Sequence, residues 1–111
     1  MKFAYQAEKF SAARRFLMLP HPKGEATSIA DAFHECSLGL HKIDRSGLDD
    51  NARPWVIKLE ELMDTTDLAD PNDVGTWTVK AEQLTLDQKF ELSRIIAELA
   101  HWFDRKFWKD G

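Results

Sequence analysis

Apolar residues recur at helical spacing along most of this chain, and the segment from Leu84 to Trp108 carries two such rows where a core helix needs one. The first row, Leu92, Ile95, Ile96, Leu99, Trp102, Phe103 and Phe107, keeps to one side of a 3.6-residue helix. The second, Phe90, Ala97, His101 and Trp108, lies nearly opposite. Such a helix is expected to be covered on both sides, once by its own core and once by something else.

Three shorter helices are predicted ahead of it. The first, Phe3 to Leu17, turns Phe3, Ala7, Phe10 and Leu17 inward with Arg14 at the edge of the same stripe. It ends at Leu19-Pro20-His21-Pro22-Lys23-Gly24, where the prolines and the glycine interrupt the backbone hydrogen-bond ladder. The second runs from about Ser28 to Ile43, capped by Thr27 or Ser28, with Ile29, Phe33, Cys36, Leu40 and Ile43 inside. After a turn at Asp44-Arg45-Ser46-Gly47, Asp49 or Asp50 caps a third helix that accepts Pro54 near its first turn. Its inner face is Ala52, Trp55, Val56, Leu59, Leu62 and Met63.

Asp64 to Gly75 is rich in turn formers and poor in large apolar residues, so it is expected to be an exposed connection and the most flexible region. Thr76 to Lys80 alternates like a short extended piece, and without a partner strand it is read as a strap laid on the helices. Thr85 followed by Gln88 is a capping-box pattern that starts the last helix. From Leu86 to Trp108 that helix would be roughly 34 Å long, against roughly 20 to 24 Å for the others, so it should overhang them. Short connections favour antiparallel neighbours. The expected architecture is therefore all-α: an up-and-down four-helix bundle with a long C-terminal helix and a short extended strap before it.

Length and composition narrow this picture. A chain of 111 residues fits one helical-bundle domain over 1–111, and four Trp with seven Phe supply large pieces of burial. With 15 Lys plus Arg against 19 Asp plus Glu, the net charge of −4 makes the surface as a whole a poor polyanion-binding face. A local basic patch is still compatible with that balance, so nucleic acid is a disfavoured partner and not an excluded one. The one cysteine, Cys36, falls on an inner stripe and reads as a buried thiol, which favours a reducing compartment. No signal-like segment opens the chain and no stretch approaches 18 apolar residues, so a cytoplasmic location and no membrane are expected.

Candidate chemistry is sparse, and no motif is specific enough to assign a reaction. Asp31 and His34, and likewise Glu98 and His101, stand three apart on a helix, which puts each acid and histidine on one face. Together with Glu8 and Glu60 or Glu61, their order along the chain resembles ferritin-like di-iron proteins, which implies a carboxylate and histidine metal site. At about 100° per residue these side chains turn away from the inner stripes, so solvated outer faces are the simpler expectation and a metal-binding bundle the second alternative.

Arg94 and His101 share the outer row of the last helix, with Arg105 one turn further on. Arg94-Ile-Ile-Ala-Glu-Leu-Ala-His101 resembles the arginine and histidine motif of the HEPN ribonuclease superfamily, small helical bundles that commonly pair and cut RNA without metal. The resemblance implies His101 as acid or base and Arg94 at the phosphate, in a cleft between two copies. Other patterns carry less. His34 and His41 lack a visible third ligand, and Asp64, Asp67, Asp70 and Asp73 lack the spacing of a calcium loop. No Gly-rich phosphate loop, Ser elbow or zinc-ribbon spacing occurs, and no cofactor is expected.

Arg14 stands between Phe10 and Leu17 on an inward stripe, so it either lays its stem on the core with its head in solvent or lines a polar ligand pocket, with Trp77 as a neighbour. The first expectation for function is a non-enzymatic module that forms a homodimer or small homo-oligomer, or binds another protein, through Phe90, Ala97, His101 and Trp108. The ribonuclease reading is its alternative.

Overall fold

Helical hydrophobic spacing becomes five α-helices among the described residues: α1 (Ala4–Phe16), α2 (Glu25–Leu40), α3 (Ala52–Met63), α4 (Thr76–Gln83) and α5 (Leu86–Asp110). A 3-10 turn at Arg45–Gly47 separates α2 from α3. The structure, a computed structural model, describes residues 3–18, 20–66, 68–70 and 75–110. No strand occurs among them, and no described helix is long and apolar enough to cross a membrane.

In the principal packing pairs α1 lies against both α2 and α5, while α4 rests on α2 and α3 on α5. Phe103 is the aromatic centre. Its ring stacks on Phe10 at 5.1 Å and meets Phe3 edge-on at 5.2 Å and Trp102 at 5.1 Å. These contacts join α1 to α5, and Ile29, Phe33 and Cys36 from α2 with Val56 and Leu59 from α3 extend the same buried cluster.

The close approach of α1 to α2 depends on Gly39. A Cβ there would meet the Phe10 ring at 3.0 Å and the Lys9 Cβ at 3.2 Å. The Phe10 ring is fully buried and has no room to retreat. Gly39→Ala should therefore lower stability, even though alanine ordinarily gains about 1 kcal/mol over glycine inside a helix. Urea denaturation checks this, and a stabilised variant would show that the two helices can separate at little cost.

Local capping explains where several helices begin. The Thr85 N–H donates to Gln88 Oε1 at 2.8 Å and the Gln88 N–H to Thr85 Oγ1 at 3.1 Å, the reciprocal box expected from sequence. Asp49 Oδ1 accepts from the Asn51 and Ala52 N–H groups at 3.0 and 2.9 Å and so caps α3, as one of the two expected aspartates. Its other oxygen, Oδ2, accepts from the Trp102 indole N–H at 3.0 Å, tying the start of α3 to the inner side of α5.

Three expectations require correction. The extended strap expected over Thr76–Lys80 is part of α4, so the described chain holds a fifth α-helix. Five alternating residues are too few to separate the two periods. With Trp77, Ala81 and Leu84 taken together the spacing is helical, and a helix satisfies its own backbone without a partner strand. The second helix starts at Glu25, three residues ahead of Ser28, and neither Thr27 nor Ser28 caps it. Gly24 turns the chain with φ 95°, and its carbonyl accepts the first helical bond from Ser28 N–H at 3.1 Å. The same helix ends at Leu40 and not at Ile43, because His41 leaves the helical region with ψ 121° and Lys42 follows with a left-handed φ of 59°.

In the connection after α3, Asp64 and Thr66 are exposed, and Asp64 Oδ1 accepts from the Thr66 N–H at 3.0 Å. The flexibility expected there falls in part on residues 67 and 71–74, outside the described ones.

Candidate functional site

The rotation of α5 about its axis determines which residues face outward. At about 100° per residue, Ala97, His101 and Trp108 stand within about 20° of Phe90, and Leu99 stands about 180° away. Leu92, Ile95, Ile96, Leu99, Trp102 and Phe103 are all buried, so the opposite face turns to solvent. Phe90 is 65% exposed and Trp108 72% exposed, one near each end of that face. His101 and Arg94 between them are exposed and Ala97 is half-buried. Leu86, one turn ahead of Phe90, is 65% exposed and extends the row toward the helix start.

Two ion pairs hold α5 at its edges. Lys89 pairs with Glu25 at the start of α2, and Lys58 on α3 lies 3.5 Å from Glu91. The hydrogen bond from Lys89 holds the Glu25 carboxyl below its ordinary range. These pairs flank the outer face and leave its centre uncovered.

Arg14 is exposed, because Ala13 takes the inner position one residue earlier. Its side chain borders a depression of about 390 Å³ between α1 and α5, together with Ser11, Ala97, His101 and Asp104. Trp77 lines a different, wider groove of about 760 Å³, beside Leu40, His41, Ile57 and Glu60. Arg14 and Trp77, expected as neighbours in one ligand pocket, thus border separate depressions, and Trp77 instead meets the His34 ring edge-on at 6.2 Å. That Arg14 joins His101 and Asp104 at one edge of the outer face follows from how α1 docks on α5, which no pattern within α5 announces.

Cys36 is fully buried, and burial pushes its thiol pKa up, so it is neither a nucleophile nor a ready metal ligand. Among the described residues no group of three or more His, Cys, Asp or Glu side chains is placed to hold a metal ion. Asp31 with His34, and Glu98 with His101, therefore lack further described ligands around them. No family model, curated protein or solved structure matches this chain.

Proposed function

We propose that this chain is a small non-enzymatic module that works by association, pairing through the outer face of α5 with a second copy or with another protein. The observation that carries the reading is the exposure of Phe90 and Trp108 on one face of a helix whose opposite face is fully buried. Covering a phenylalanine side chain is worth about 1.5–3 kcal/mol, and tryptophan is among the residues that dominate interface energies. A monomer leaves that gain unrealised. The reading includes a cytoplasmic setting, which suits a lone buried thiol.

Sedimentation velocity over a concentration series tests it. The expected result is a homodimer, with Phe90→Asp and Trp108→Ala each shifting the distribution toward monomer while circular dichroism stays unchanged. A wild-type chain that remains monomeric up to high micromolar concentration would remove self-association.

A second reading uses the same face, because Arg94 and His101 are both exposed on it within two turns of each other. There the guanidinium would bind a phosphate and the imidazole would move a proton in a metal-independent ribonuclease. Incubation with labelled RNA and chelator decides it: cleavage lost in the Arg94→Ala, His101→Ala variant supports this reading, and no cleavage by the wild type ends it.

A further inference from the structure

Self-association through α5 can be specified further, and this inference rests on the reading above. Phe90, Arg94, Ala97, His101, Asp104 and Trp108 follow one another at steps of four, three, four, three and four residues. That is the spacing of a seam on which a second helix can lie along the whole face, and every member except half-buried Ala97 is exposed. The seam spans about 27 Å at 1.5 Å per residue. Its order is self-complementary when reversed: aromatic, cation, small residue, imidazole, anion, aromatic.

We infer that two copies of this chain pair antiparallel along the outer seam of α5, in the register that sets Arg94 of each copy against Asp104 of the other. In the same register Phe90 meets the partner's Trp108 and Ala97 meets the partner's His101, so a small side chain lies opposite a ring in both central layers. A two-fold axis crossing the helix at the level of Leu99 repeats each pairing twice.

Charge selects this arrangement over its competitors. Among the described residues neither Arg94 nor Asp104 forms an ion pair within its own chain, so both are available to a partner. Parallel pairing would set Arg94 against Arg94 and Asp104 against Asp104. An antiparallel shift by one heptad would set Arg94 against Ala97 and Asp104 against Asp87 in one direction, and would carry Arg94 past the helix end in the other. The proposed register removes these conflicts and matches both aromatic ends. Glu98 of the two copies face each other at the edge of the seam, in solvent, where salt screens the repulsion. Arg14, beside Asp104 at the α1 edge, adds a second cation near the same carboxylate.

A charge-exchange experiment tests the register separately from association itself. Arg94→Glu and Asp104→Arg are each expected to weaken the dimer by roughly tenfold or more, since each creates two like-charge contacts per dimer. Mixing the two variants in equal amounts should restore dimer, because each copy then offers the charge the other needs. The double variant Arg94→Glu, Asp104→Arg should pair with itself. Thermal unfolding at concentrations too low for association, unchanged in each exposed-site variant, confirms that folding is intact.

A dimer that is sensitive to Phe90→Asp and Trp108→Ala, yet shows no recovery on mixing, would overturn the antiparallel register and leave the interface reading standing. Single variants that dimerise as strongly as the wild type would also overturn it. A monomeric wild type would overturn the register together with self-association.

Discussion

Phe103→Ala is expected to cost about 3–5 kcal/mol, the range for removing a fully buried aromatic ring. Phe103 is fully buried and touches Phe3, Phe10 and Trp102 at centroid distances of 5.1 to 5.2 Å. Each aromatic pair adds about 0.5–1.5 kcal/mol beyond area alone, which places the loss toward the upper end. Against a total stability of about 5–15 kcal/mol, this change alone should remove between about a fifth and the whole of the margin. Trp108→Ala, five residues further along the same helix, should change monomer stability by no more than about 0.5 kcal/mol. Both measurements belong at protein concentrations too low for association to contribute. Equal losses at the two positions would mean that the outer row is as structural as the inner one.

The second large effect is expected at Asp49. Its carboxylate caps α3 through Oδ1 and receives the Trp102 indole N–H at Oδ2. Asp49→Ala loses the cap, worth about 1 kcal/mol, and leaves the indole N–H of a buried tryptophan without its acceptor, worth about 1–3 kcal/mol more. A total of about 2–4 kcal/mol is expected in urea denaturation. Asp49→Asn keeps an oxygen for the cap and should lose less.

The pH dependence follows from the same bonds. The Ala52 N–H, then the Trp102 indole, hold the Asp49 carboxyl below its ordinary value of 3.8. The folded state therefore binds this proton less readily than the unfolded state. Its contribution is fully present above pH 3.8 and is lost as the pH falls through the lower folded value. The stability difference between wild type and Asp49→Asn should accordingly shrink as acid is added below pH 3.8. A difference that stays constant down to pH 2 would show that charge on Asp49 is irrelevant to either bond.

Local chemistry was legible in the sequence and tertiary chemistry was not, and particular residues show why. The Thr85 and Gln88 box and the Asp49 cap involve atoms within three residues of each other, so residue type and spacing suffice. The two rows of α5 were legible because one rotation per residue determines every position on a long helix. Helix α4 is hard to read locally because Thr76 to Lys80 alternate like a strand, and only Ala81 and Leu84 complete the helical face. The second role of Asp49 spans 53 residues to Trp102, and no local pattern announces it. Arg14 beside His101 and Asp104 likewise depends on how α1 lies on α5, and that follows from the fit of Phe10 to Phe103.

The docking of α1 onto α5 has a bearing on how the chain is made. Phe3 lies 5.5 Å from Trp102 between ring centroids, so the aromatic centre joins residues separated by nearly the whole described chain. During synthesis α1 and α2 can meet early, but the α5 rings that pack on α1 emerge well after them. Until then the sides of Phe3 and Phe10 that meet Phe103 stay uncovered, which leaves apolar surface on the partly made chain. Emergence of α5 supplies that cover, so the aromatic centre can close only after α1 to α4 have been made.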